Sequence, residues 1–89
     1  MKKLKLVYVE WEDAHSKPFW TLENEAIRYA KTSVCVNKEV GWILYEDKQY
    51  LVIAASFSPG DEWSADQYGD LTKIPKTWVR KRKDLTKYL

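Results

Sequence analysis

The alternation of apolar and polar positions predicts a chain built mostly from β-strands. Residues 4–12 are rich in Val, Tyr, Trp and Leu on both faces, which is typical of a strand in a twisted, covered sheet. Two longer stretches with the same preference, 33–45 and 50–57, flank the polar run 46–49 and predict a β-hairpin. These three strands account for the first part of the fold.

The last third of the chain predicts two further strands. A loop over 58–70 contains the turn signals Pro-Gly and Gly-Asp, and a strand over 71–74 follows it. Pro75 has a fixed φ and no amide donor, which favours a single 3₁₀ turn before the final strand, 79–83. Gly41 indicates a bulge or a sharp bend in the second strand.

One helix is predicted over 21–31, between the first and second strands. Thr21 is its expected N-cap, and an apolar stripe runs along one side of it. Acidic residues near its start and basic residues near its end suit the helix dipole, namely Glu23, Glu25, Arg28 and Lys31. We therefore expect one domain over residues 1–89, in which five strands and one inserted helix form a bent sheet that closes on itself.

Composition places this chain among folded, cytoplasmic domains. It has 89 residues with five Trp, six Tyr and two Phe, which is enough aromatic surface for a small core. The lone Cys35 excludes an internal disulfide, and its apolar neighbours predict a buried, inert thiol. We find no secretory signal and no apolar run of about 20 residues that would cross a membrane, and we expect a cytoplasmic location.

Charge is distributed unevenly, although the net charge is only +2. Residues 72–89 carry seven basic side chains against Asp84, while the body of the chain is acidic. This basic end either contacts nucleic-acid phosphates or protects an edge strand from aggregation. The candidate nucleic-acid contacts are Lys73, Lys76, Arg80, Arg82 and Lys83.

The predicted loop 58–70 combines carboxylates with aromatic side chains. Such a loop can bind an Arg- or Lys-bearing protein through cation–π and ionic contacts. The alternative is that Trp63 and Tyr68 cover the core while the carboxylates solvate the loop. The candidate partner-binding residues here are Asp61, Glu62, Trp63, Asp66, Tyr68 and Asp70.

A second candidate surface lies near the N-terminus. Tyr8, Trp11 and Trp20 can line an aromatic groove for a peptide, together with Phe19 and Trp78. The alternative is that Phe19 staples the helix to the sheet and Trp20 belongs to the core.

No catalytic, metal or cofactor motif emerges from the residue pattern. Asp13 and His15 are too few ligands for zinc, and a Cys35–His15 catalytic pair is disfavoured by the apolar setting of the thiol. Gly-rich phosphate loops, paired-Cys spacings and serine nucleophile elbows are absent. We therefore expect a protein that is not an enzyme and uses no cofactor.

The segment Ile74-Pro75-x-x-Trp78-Val79 resembles the Ile-Pro-x-x-Tyr-Val segment that ends Src-homology-3 domains. This resemblance implies a small five-stranded Src-homology-3-like barrel, here with one short inserted helix. The paired tryptophans that open the third strand of those domains are absent from this chain. The resemblance thus supports the barrel more than its proline-peptide groove.

The whole chain is similar to small, mostly uncharacterised proteins encoded by bacteriophages and prophages. The similarity rests on three stretches, Val9–Ala14, Gly41–Asp47 and Tyr68–Pro75. It brings no reaction with it, and it implies a phage protein that acts in the cytoplasm of a bacterial host cell.

Taken with the loop, this setting predicts a non-enzymatic module that binds a host or phage protein and inhibits a host defence or metabolic protein. Two alternatives remain open at this stage: a nucleic-acid-binding accessory protein and a protein that sequesters a small ligand such as a nucleotide. The opposed charges of loop and tail also permit a homodimer. No membrane partner is expected.

Overall fold

The structure, a computed structural model, describes residues 4–89 and is mainly β. An eight-residue helix and two single 3₁₀ turns accompany five strands. In chain order the elements are β1 (Leu6–Asp13), α1 (Glu23–Ala30), β2 (Cys35–Glu46), β3 (Tyr50–Ser58), β4 (Gln67–Pro75), a 3₁₀ turn (Lys76–Trp78), β5 (Val79–Asp84) and a 3₁₀ turn (Thr86–Tyr88).

All five strands belong to one antiparallel sheet with the order β4-β3-β2-β1-β5. The prediction of five strands and one inserted helix is therefore confirmed. The prediction of a sheet that closes on itself is wrong, because the edge strands β4 and β5 do not pair with each other in the described chain. The short β5 consists mostly of charged residues, and such side chains let a strand remain at an open edge without recruiting another strand.

The core lies on one face of this sheet. Its central side chains come from β1, β3 and β4, and each is at most 1% exposed. Ile43 and Val79 pack against this group from β2 and β5. The largest fully buried side chains are those of Val7, Val9, Leu51, Ile53 and Ile74.

Gly41 permits a close approach between β2 and β3. A Cβ atom at this position would lie 3.0 Å from the Ala54 carbonyl oxygen and 3.2 Å from the Ile53 Cβ. The irregularity in strand pairing that the glycine predicted is found slightly later, between Ile43 and Tyr45. The glycine thus serves packing, while the bend lies beside it.

Residues 14–34, which we call the arm, connect β1 to β2 and contain α1. The helix begins at Glu23 with Leu22 at the N-cap position and no side-chain cap, so the predicted cap by Thr21 is wrong. No residue of α1 is buried. The helix therefore gains little from the core, and an isolated helix of this length is marginal in water.

Two boundaries near the C-terminus test the predicted turn signals. Lys76–Trp78 forms the 3₁₀ turn directly after Pro75, as predicted. However, β4 begins at Gln67 rather than at Leu71, because Gln67 and Tyr68 extend the pairing with β3. Gly69 and Asp70, which predicted a turn, therefore lie inside a strand, where Asp70 adopts a positive φ of 54°.

Candidate functional site

The loop between β3 and β4, residues 59–66, is held in shape by internal hydrogen bonds, and we call it the Trp63 loop. The Asp61 carboxylate accepts hydrogen bonds from the backbone amides of Trp63 and Ser64 at 2.8 and 2.9 Å, and from the Ser64 hydroxyl at 3.1 Å. These donors, the Trp63 amide foremost, hold the pKa of Asp61 below its usual range. Asp61 is therefore a turn-forming residue.

The base of the Trp63 loop is closed by two further contacts. The Gly60 amide donates to the Asp66 carboxylate at 2.8 Å, and the Asp61 amide donates to the Ser64 carbonyl at 2.9 Å. Gly60 has no room for a side chain, since a Cβ would overlap the Ser64 carbonyl oxygen and lie 2.6 Å from the Ala65 carbonyl carbon. Two of the four predicted binding carboxylates, Asp61 and Asp66, thus shape the loop.

Trp63 stands at the tip of this loop with 87% of its surface exposed. The interpretation in which Trp63 covers the core is therefore wrong. Its neighbour Glu62 is also exposed. The loop holds one large aromatic side chain and one carboxylate toward solvent.

Tyr68 and Asp70 belong to β4 and not to the loop. The Tyr68 ring lies 5.1 Å from the ring of Phe57, and Phe57 lies 6.2 Å from Trp42. These three rings form an aromatic cluster that spans β2, β3 and β4. Asp70 is exposed further along β4. The six predicted loop residues thus divide between a loop tip, a loop base and a strand.

The three residues of the second predicted surface, Tyr8, Trp11 and Trp20, lie in three different environments. Trp11 is buried in the core, and its Nε1 donates to a Glu39 carboxylate oxygen at 3.1 Å. Tyr8 is half-buried, and its hydroxyl donates to Glu10, which raises the pKa of Tyr8. Trp20 is fully exposed in the arm. Because Trp11 is enclosed, the prediction that it lines an open groove with Tyr8 and Trp20 is wrong.

Phe19 and Trp20 also contradict the alternative interpretation. Phe19 is 93% exposed, so it does not staple the helix to the sheet, and Trp20 does not belong to the core. Phe19 has a φ of 72°, a left-handed conformation that is unfavourable for a bulky residue. Leu22 and Ile27 continue the exposed apolar surface along α1.

Within the arm, Tyr29 of α1 contacts His15 of the preceding segment. The Tyr29 hydroxyl donates to the His15 backbone carbonyl at 2.8 Å and lies 2.7 Å from His15 Nδ1. Which atom donates in the contact with Nδ1 depends on the tautomer of His15. The two rings meet edge to face at 5.1 Å beside an open depression of about 270 Å³.

The predicted nucleic-acid contacts are largely occupied within the chain. Lys76 and Arg82 both bind the Glu46 carboxylate, with N–O distances of 2.7 and 2.6 Å. Arg80 binds Glu12 at 2.8 Å. Lys73 lies 4.4 Å from the centre of the Tyr50 ring, and Lys83 is exposed on β5. Internal carboxylates therefore neutralise much of the basic strand.

Glu46 joins the end of β2 to β5 and to the 3₁₀ turn. Arg82 binds both of its oxygens, at 2.6 and 2.9 Å, which is the two-point geometry that a guanidinium favours. The hydrogen bonds from Arg82 and then Lys76 lower the pKa of Glu46 to about 2. The network fixes β5 at the sheet edge.

The remaining candidates are the Cys35 thiol and possible metal ligands. Cys35 is exposed at the start of β2, so the prediction of a buried thiol is wrong. Its Sγ faces the Asn37 side-chain oxygen at 3.9 Å. In residues 4–89, no group of three or more His, Cys, Asp or Glu side chains is arranged to hold a metal ion.

Sequence reasoning missed the exposed apolar character of the arm. The residues concerned are Leu22, which the predicted helical stripe assigned to a core, and Ile27, which lies outside that stripe. Among the described residues, no helix is long and apolar enough to cross a membrane. No protein-family model, no curated protein and no solved structure matches this chain.

Proposed function

We propose that this chain is a non-enzymatic protein-binding module whose contact point is the Trp63 loop. The observation that carries the proposal is an almost fully exposed Trp63 on a loop whose backbone is fixed by Asp61 and Asp66. Exposing an indole ring to water is unfavourable, and tryptophan is enriched among the residues that dominate binding energies at interfaces. A fixed loop also loses little conformational entropy on binding.

The surroundings of Trp63 favour a partner surface that carries arginine or lysine. Glu62 is free to form an ion pair with such a residue, and the face of the Trp63 ring can receive a cation. Asp61, whose pKa is lowered by its hydrogen bonds to the Trp63 and Ser64 amides, adds a second negative charge to this loop. Charge complementarity of this kind steers association and selects the partner.

The biological setting and the finer fold assignment rest on the resemblances. The strand order, with β5 beside β1 and a 3₁₀ turn after Pro75, supports a relationship to Src-homology-3-like barrels. In the setting implied by the similarity to phage proteins, the partner is a host defence or metabolic protein that this chain inhibits in the bacterial cytoplasm.

Affinity purification from the native host, followed by mass spectrometry, tests the proposal. We expect a protein partner that is retained by the wild-type chain and lost with Trp63→Ala, and a weaker loss with Glu62→Lys. Trp20→Ala is the matched control, because it removes an equally exposed indole from the arm. An unchanged set of partners with Trp63→Ala would contradict the proposal.

A second variant separates the ring from the loop that presents it. Gly60→Ala keeps Trp63 but forces the loop backbone to shift, since the added Cβ has no space. Gly69→Ala is its control, because a Cβ there meets Ser56 only at 3.4 Å. We expect weaker partner binding for Gly60→Ala alone. Equal binding by both variants would show that the fixed loop geometry contributes nothing.

A further inference from the structure

The arm exposes several large apolar residues that the rest of the described chain does not cover. Phe19 and Trp20 are almost fully exposed, Leu22 is exposed just before α1, and Ile27 is about half exposed within the helix. Phe19 has a positive φ, although no residue of the described chain 4–89 buries its ring. Strained residues of this kind cluster where a protein binds something.

The charges of the arm indicate what covers it. Glu23 and Glu25 lie in the first turn of α1, Arg28 lies in its last turn, and Lys31 follows directly. None of these four side chains enters an ion pair within residues 4–89. A helix that is acidic at one end and basic at the other is complementary to an antiparallel copy of itself.

We propose that two copies of this chain form a symmetric dimer in which their arms pack together, with the two α1 helices antiparallel. Glu23, Ile27 and Lys31 follow one another at intervals of four residues and share one face of α1. A twofold axis near Ile27 places Glu23 of one copy opposite Lys31 of its partner. Such an interface uses the same surface on both copies, so each charge pair occurs twice. Phe19 and Trp20 flank the helices as apolar anchors.

The exposed area agrees with this assembly. The four apolar side chains present on the order of 500–600 Å² per copy, so that two arms offer up to roughly 1,000–1,200 Å² of apolar surface to an interface. Specific interfaces begin at about 1,000 Å² of total buried area. A second copy therefore covers the arm without a contribution from the sheet, and the Trp63 loop stays available to another partner.

The intrachain ion pairs of β5 argue against the alternative contact between basic tail and acidic loop. Arg80, Arg82 and Lys76 are already bound to Glu12 and Glu46. A dimer through the tail would have to break these pairs first. The arm charges carry no such cost.

Sedimentation equilibrium of the purified chain over a wide concentration range tests the proposal. We expect a monomer–dimer equilibrium in which Trp20→Ala raises the dissociation constant about tenfold or more, as for a central interface aromatic. Trp63→Ala is the matched control and leaves this constant unchanged, so a failure of the partner-binding proposal is read separately. A chain that remains monomeric at every concentration would overturn the dimer.

Charge reversal tests the antiparallel arrangement. One variant carries Glu23→Lys, and the other carries Lys31→Glu. Each alone places like charges opposite one another and weakens its own dimer, while an equimolar mixture forms a heterodimer. Circular dichroism confirms that each variant retains the sheet. Homodimers of undiminished strength, or a mixture that forms no heterodimer, would show that the arms do not pair in this way.

Discussion

Trp11 and Trp20 lie in neighbouring parts of the chain, but their environments are opposite. Trp11 lies in β1 with its side chain in the core, and its Nε1 donates a hydrogen bond to Glu39. Trp20 stands in the arm with its ring in solvent, as does Trp63 on its loop. The difference shows that this chain uses its aromatic residues in two ways: the sheet buries them for stability, and the connections display them.

The largest expected effect comes from removing one indole from each region. Trp11→Ala should lower the free energy of unfolding by about 3–5 kcal/mol, because it leaves a cavity and deprives Glu39 of its donor. Trp20→Ala should change it by less than about 0.5 kcal/mol, as for other surface sites. Urea denaturation followed by circular dichroism measures both. Equal losses would mean that the arm packs on the sheet after all.

A smaller effect is expected from filling the close approach between β2 and β3. Gly41→Ala should cost about 1–3 kcal/mol, since the new Cβ would press on the Ala54 carbonyl oxygen and on Ile53. Gly69→Ala is the control, because its Cβ has ordinary contacts only. Thermal unfolding of the two variants distinguishes them. We expect only the Gly41 variant to be unstable, which would show that tight packing between β2 and β3 stabilises the sheet.

The ion network of Glu46 should contribute about 1 kcal/mol, in line with a partly exposed two-point pair. The folded-state pKa of about 2 lies below the usual value of 4.5, so this contribution is complete above pH 4.5 and is lost as the pH falls toward 2. Glu46→Gln should remove that part of the pH dependence. The free energy of unfolding, measured across this pH range for both proteins, provides the check. Identical pH profiles would exclude the network as a stabilising element.

The sequence predicted the sheet better than the surfaces. Strand positions follow from β-branched and aromatic stretches, and Pro75 marked the final turn. The exposure of the arm could not be predicted, because an apolar stripe on a helix has the same sequence pattern whether it faces a core or a partner. The exposure of Trp63 was equally hidden, since it depends on how Asp61 and Asp66 close the loop. The edge of the sheet stayed open where closure was expected.

The smallest expected effect concerns the loop itself. Asp61→Ala removes the acceptor for the Trp63 and Ser64 amides. We expect faster hydrogen exchange at these two amides, because the loop backbone opens more often, and unchanged exchange at Leu51 and Ile53 in β3. Exchange that accelerates equally in loop and strand would indicate global destabilisation instead.

The central claim is that Trp63 is presented to solvent on a loop of fixed shape, while Trp11 is enclosed. Fluorine NMR of the chain labelled with 5-fluorotryptophan, assigned by single Trp→Phe variants, measures this directly in the presence of a soluble paramagnetic agent. The account predicts strong broadening of the Trp63 signal at every protein concentration and protection of the Trp11 signal. A Trp63 signal as protected as that of Trp11 would contradict it.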